Sequence, residues 1–274
     1  MDKNKIVLTI ISVIAAILMC FKIHYDAEKF FCKQMLGAIE TEDIPRLKEA
    51  LFFGDPNSVL GISWIEGTIG ETGTRQTPLQ ATCKKGNIDM VKLLVKGGAD
   101  VNYTPLNAVI SPIQYAAESQ SNNNLEIVKY LLGQGADVNY ECCVGHGIIV
   151  ADFLARRSLE PNGMEILKEL MKEVEDKQRE LYLRNACYWK HEEVIRFFVE
   201  EYGFDASDEF YLCAYCYGRA EYSRETFEYF LKRGADPYAR DEYGKCAIDY
   251  LKESPAPEWA ETVAEMAKEY GFEG

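Results

Sequence analysis

The chain has 274 residues, with 30 Lys plus Arg against 44 Asp plus Glu and a formal net charge of −14. A surface this acidic repels phosphate backbones, which argues against general nucleic-acid binding and leaves either a well-solvated face or a basic partner. Nine cysteines are an odd number and cannot all pair within the chain, so a complete disulfide framework is excluded as well.

In chain order, residues 6–21 read IVLTIISVIAAILMCF without a charge, after Lys3 and Lys5. Extended to Ile23 past Lys22, whose stem can snorkel, the run supplies about 18 residues or roughly 27 Å of helix, marginally enough to span a bilayer core. A retained N-terminal transmembrane helix within residues 1–27 is therefore expected. A cleaved signal peptide is the competing reading, but Leu18 and Met19 are bulky and no A-x-A site follows. Lys3 and Lys5 favour a cytoplasmic N-terminus, with the rest of the chain outside, while Lys22, Lys29 and Lys33 nearly balance them. Free thiols pull the other way, toward a reducing compartment.

Residues 30–57 carry a short helix, a polar break, and a second helix with Ile44, Leu47 and Leu51 along one face. The following stretch, 58–76, holds Trp64 and four glycines; with no GK[ST] it is not a phosphate loop, and its length marks an elongated finger or loop in which Trp64 is either a contact residue or packed against the cap.

Residues 77–140 are one unit written twice. TPLQATC and NIDMVKLLVKGGADVNY are answered by SPIQYAA and LEIVKYLLGQGADVNY. Thr77-Pro78 and Ser111-Pro112 are helix starts, a capping hydroxyl followed by a proline that forfeits no needed N–H. Ile88, Val91, Leu94 and Val95 form an apolar stripe, and Gly98 and Gly135 fall where the helix should end in a left-handed turn. This stretch resembles the ankyrin-repeat family. The resemblance implies an all-α solenoid of stacked helix-turn-helix units with short hairpin loops, whose stability comes from neighbours.

On that pattern, residues 28–274 hold about seven units. The first (30–57) and the last (241–270) are caps. The fourth is degenerate, with helices at 148–154 and 164–174 around Asn162-Gly163. Arg184 to Cys187 followed by EEVIRFFVEEYGFDA restores the signature, and Leu212 to Cys216 with TFEYFLKRGADPY repeats it, bringing Gly203 and Gly234 into the glycine series.

No catalytic residue, cofactor or metal site is expected. His24, His146 and His191 lack metal-ligand spacing, and Cys213-x-x-Cys216 stands alone. Cys83, Cys187 and Cys216 occupy positions where the family usually has alanine, which reads as packing. The resemblance implies a noncatalytic protein–protein interaction module; tethered by the expected N-terminal helix, it is expected to be a monomer in a scaffold, immunity-type or effector role. Partners of such proteins engage the ends of first helices, here Lys84, Lys85, Glu118, Ser119, Tyr188, Trp189 and Tyr217. They also engage the hairpin tips, here Tyr103, Tyr140, Tyr238, Glu242, Tyr243 and Lys245. The alternative is a thiol-dependent catalytic or redox protein using Cys142 and Cys143 with His146, or Cys213 with Cys216.

Overall fold

A computed structural model describes residues 3–59, 76–105, 110–139, 162–174, 176–218 and 222–273, without the side chains of 3–11, 15 and 176–178. Trp64, Tyr140, Cys142, Cys143, His146 and the helix expected at 148–154 lie outside the described residues. The described residues are helical, with one isolated antiparallel bridge between Arg240 and Cys246. They divide into two compact units, Met1–Asp137 and Val138–Gly274.

In the first unit, α1 (Lys3–Glu40), α3 (Pro78–Lys85) and α5 (Pro112–Ala117) pack side by side. A second row of α2 (Ile44–Phe53), α4 (Ile88–Lys96) and α6 (Asn124–Gly133) packs against them. Met35, Leu47, Leu79, Met90, Leu94 and Ile113 are buried between the rows. Helix starts follow the sequence. Thr77 Oγ1 accepts from Gln80 N at 3.1 Å while Thr77 N donates to Gln80 Oε1 at 2.8 Å, a reciprocal cap ahead of Pro78. Gln80 Nε2 also donates to Ile110 O at 2.9 Å, tying this pair of helices to the next.

Gly98, Gly135, Gly203 and Gly234 all take positive φ, as their spacing predicts. An asparagine from the preceding repeat fastens each of the first two. Asn57 Nδ2 donates to Gly98 O at 3.2 Å and Asn57 Oδ1 accepts from Asp100 N at 2.8 Å. Asn102 does the same for Gly135 O and Asp137 N, at 2.9 and 2.8 Å. One amide thus satisfies a donor and an acceptor that the hairpin cannot satisfy itself.

The polar insertion of the second copy is folded inward. Ser119 Oγ donates to Lys84 O and Ser121 Oγ to Gly86 O, both at 3.1 Å. Ser119 is buried, so its expected place on the contact surface is corrected: its hydroxyl satisfies the end of α3.

α1 departs from the expected short first helix. It runs unbroken from Lys3 to Glu40, because no proline or glycine interrupts the chain before Gly37. Among the described residues no helix is long and apolar enough to cross a membrane. Several side chains of the expected anchor, 6–11 and 15, are outside the description. Of those described, Val13, Ile14, Leu18, Met19, Phe21 and Ile23 are exposed.

In the second unit, α8 (Asp176–Trp189), α10 (Glu209–Tyr217) and α12 (Ala247–Glu253) form one row. α9 (Glu192–Tyr202) packs on α8, and α13 (Glu258–Glu269) packs on α12 and on α11 (Arg224–Lys232). α7 (Gly163–Met171) precedes them, entered through Asn162 at φ 64. α8 begins well before Arg184, where the sequence pattern starts. Residues 176–183 contain neither Gly nor Pro, and Tyr182 and Leu183 are fully buried, so packing extends the helix backward. The core is aromatic, with Tyr215 edge-on to Phe227 at 5.2 Å and Phe198 and Phe230 equally buried.

Candidate functional site

An open groove of about 650 Å³ lies in the second unit, where α8 and α10 meet the hairpin before α12. α8 contributes Arg184, Asn185, Tyr188 and Trp189, and α10 contributes Phe210, Cys213, Ala214 and Tyr217. The hairpin supplies Asp241, Glu242, Tyr243 and Lys245, and α12 supplies Tyr250.

The aromatic side chains form a connected series. Tyr188 meets Trp189 edge-on at 5.1 Å and Tyr217 at 5.8 Å, and Tyr217 meets Tyr250 at 5.6 Å. Trp189 is 41 % exposed, Tyr217 64 % and Tyr243 77 %, so large rings face solvent at a place where a monomeric core has no use for them.

Asp241 builds the hairpin wall. Its Oδ1 accepts from Tyr243 N at 2.9 Å and Lys245 N at 3.1 Å, and its Oδ2 accepts from the Tyr250 hydroxyl at 2.6 Å. Partial burial, with this carboxylate alongside, raises the Tyr250 pKa and keeps the phenol a donor. Gly244 at φ 74 closes the turn, and Lys245 Nζ is held by Glu253 at 2.6 Å.

Behind the groove sits a buried lysine. Lys190 ends α8 at φ 58, donates from Nζ to Tyr215 O at 2.6 Å, and lies 4.8 Å from the Tyr215 ring and 4.2 Å from the Tyr222 ring. Burial lowers its pKa to about 8, against smaller opposing effects from Cys216 and Cys187. A signal for it was present. Lys190-His191 aligns with Gly86-Asn87 of the first unit, so lysine stands where the repeat needs a left-handed residue.

Four of the expected contact residues, Tyr188, Trp189, Tyr217 and Tyr243, come together here, with the tip residues Glu242 and Lys245. Tyr238 is half-buried and does not line the groove. Tyr103, Lys84 and Lys85 are exposed and belong to the first unit, where the Lys85 ammonium donates to the Glu40 carbonyl. Sequence reasoning missed Arg184, Phe210, Asp241 and Tyr250 as groove residues.

The thiol reading finds no support in the described cysteines. Cys213 and Cys216 are buried; desolvation pushes the Cys213 thiol up to about 12 and that of Cys216 well above its ordinary value. Such thiols are poor nucleophiles. Cys83 and Cys187 are fully buried with raised pKa values, in keeping with packing in place of alanine.

The family described as "Ankyrin repeats (3 copies)" matches residues 47–142. Among solved structures, the human ASB11 ankyrin repeat domain is similar, with a TM-score of 0.61 and 20% identity over 84% of this chain and 96% of that one. No curated protein matches the chain by sequence. The fold is that of an ankyrin-repeat domain.

Proposed function

We propose that the chain is a noncatalytic, monomeric protein-binding module that grips a partner protein in the aromatic groove of its second unit. The observation that carries this reading is the convergence of Tyr188, Trp189, Tyr217 and Tyr243, from two helices and a hairpin, on one solvent-open groove. Aromatic residues of this kind supply most of the binding energy when an interface centre is desolvated. The test is affinity capture with the full chain. Trp189→Ala should weaken the captured partner by about 2 kcal/mol, roughly thirtyfold in Kd, at unchanged thermal stability. Unaltered affinity, or a loss that only follows melting temperature, overturns the proposal.

The apolar start of α1 serves in this reading as a single-pass membrane anchor. A helix that exposes Val13, Leu18, Met19, Phe21 and Ile23 needs an apolar environment to cover them. Lys3 and Lys5, nearly balanced by Lys22, Lys29 and Lys33, support by a narrow margin an orientation with the repeats outside the cytoplasm, and thiols buried in a repeat core do not require a reducing compartment. Full-length protein should stay with membranes through a carbonate wash, and release by that wash sinks the anchor.

A further inference from the structure

We infer that the groove of the second unit receives the side chain of an arginine carried on a basic segment of the partner protein. This rests on the groove being the partner surface and adds the partner's chemistry.

Charge is the first support. Of the chain's 44 Asp and Glu, 29 fall in Val138–Gly274, against 17 of its 30 Lys and Arg, so this unit carries −12 of the formal −14. A basic segment is drawn to such a unit, an acidic one repelled.

The second support is the way this unit handles its own cations. Arg179 lies 4.9 Å from the Tyr202 ring, Arg196 4.5 Å and Arg233 3.6 Å from Tyr229, and Arg184, at the groove itself, 5.4 Å from Phe210. Guanidinium on aromatic is thus a recurring contact of the fold. Among the described residues, no cation of the unit lies over Trp189, Tyr217 or Tyr243. Those three are the groove's exposed rings.

The third is the state of the charged groups in the groove. Lys245 is occupied by Glu253, and Asp241 is engaged by two backbone N–H groups and the Tyr250 hydroxyl. Glu242, next to Tyr243 and exposed, is the carboxylate left to meet an incoming cation. A planar guanidinium suits the site better than an ammonium, since it stacks on a ring while donating sideways to a carboxylate and is more weakly hydrated.

The experiment titrates full chain into three fluorescein-labelled heptapeptides by anisotropy: alternating Gly and Arg, the same peptide with citrulline for Arg, and the same with Leu for Arg. The arginine peptide should bind about tenfold more tightly than the citrulline peptide. Tyr243→Ala should weaken it about fivefold and Glu242→Gln about threefold. Both residues are exposed turn positions, and thermal melts check that each variant is folded. An arginine peptide that binds no better than its citrulline counterpart, or is indifferent to both substitutions, overturns the inference. If the leucine peptide instead binds in a Tyr243-dependent way, the cation chemistry is wrong and the groove still stands as the partner surface. If no peptide responds to Tyr243→Ala, both readings fall.

Discussion

Lys190 offers the sharpest physical test of the second unit. It is 9 % exposed, its ammonium rests on one carbonyl and two rings, and its pKa is lowered from 10.5 to about 8. In the unfolded chain the lysine keeps its ordinary pKa. Between about pH 8 and 10.5 the unfolded state therefore holds a proton that the folded state has released, and stability rises with pH by up to about 1.4 kcal/mol per unit. The cost of the buried charge is fully present below pH 8 and gone above 10.5, a change of about 3 kcal/mol across the window. Cys187, Cys216, Tyr215 and Tyr222 face the ammonium, and burial raises all four pKa values, so they contribute with the opposite sign as unfolded thiols and phenols ionise. The measurement that isolates lysine is a comparison with Lys190→Met, which keeps the stem and removes the charge. Urea unfolding followed by tryptophan fluorescence, in pH steps from 7.5 to 10.5, should show the wild type gaining about 3 kcal/mol relative to the variant. Parallel stability curves, with a difference constant within about 0.5 kcal/mol, would refute a depressed lysine at this position.

Two further outcomes follow from close packing. At Gly218 an added Cβ would overlap the Tyr188 carbonyl oxygen and come within 2.8 Å of Lys190 Nζ, so Gly218→Ala should cost about 2 kcal/mol or more. An unchanged melting temperature would show that this approach of backbone to the end of α8 is wrong. Maleimide labelling of native protein, read by peptide mass, should leave Cys83, Cys187 and Cys216 unmodified until denaturant is added. Labelling of Cys187 as fast before denaturant as after it would contradict its burial.

The sequence by itself determined the repeat. Caps at Thr77 and Ser111, the stripe of Ile88, Val91 and Leu94, and left-handed glycines at 98, 135, 203 and 234 are local in origin: each depends on a few neighbouring residues and on helical period, and all are readable from one strand of text. Part of the groove was legible for the same reason, since first-helix ends and hairpin tips recur at fixed places in the repeat. Tyr188, Trp189, Tyr217 and Tyr243 were found by position. What only tertiary structure decided is which way side chains turn and what they meet. Ser119 and Tyr188 both stand at first-helix ends, yet one is folded in to satisfy a carbonyl and the other joins an aromatic series. Tyr238 and Tyr243 are both tip tyrosines, and only the second lines the groove. α8 runs back to Asp176 because Tyr182 and Leu183 find a core, and Lys190 turns inward because the Tyr215 carbonyl lies 2.6 Å from its ammonium. The contact of Lys190 with Tyr215 is made between helices of two different repeats, at a separation in sequence that follows no helical period, so no spacing announces it; it exists only once repeat has packed on repeat.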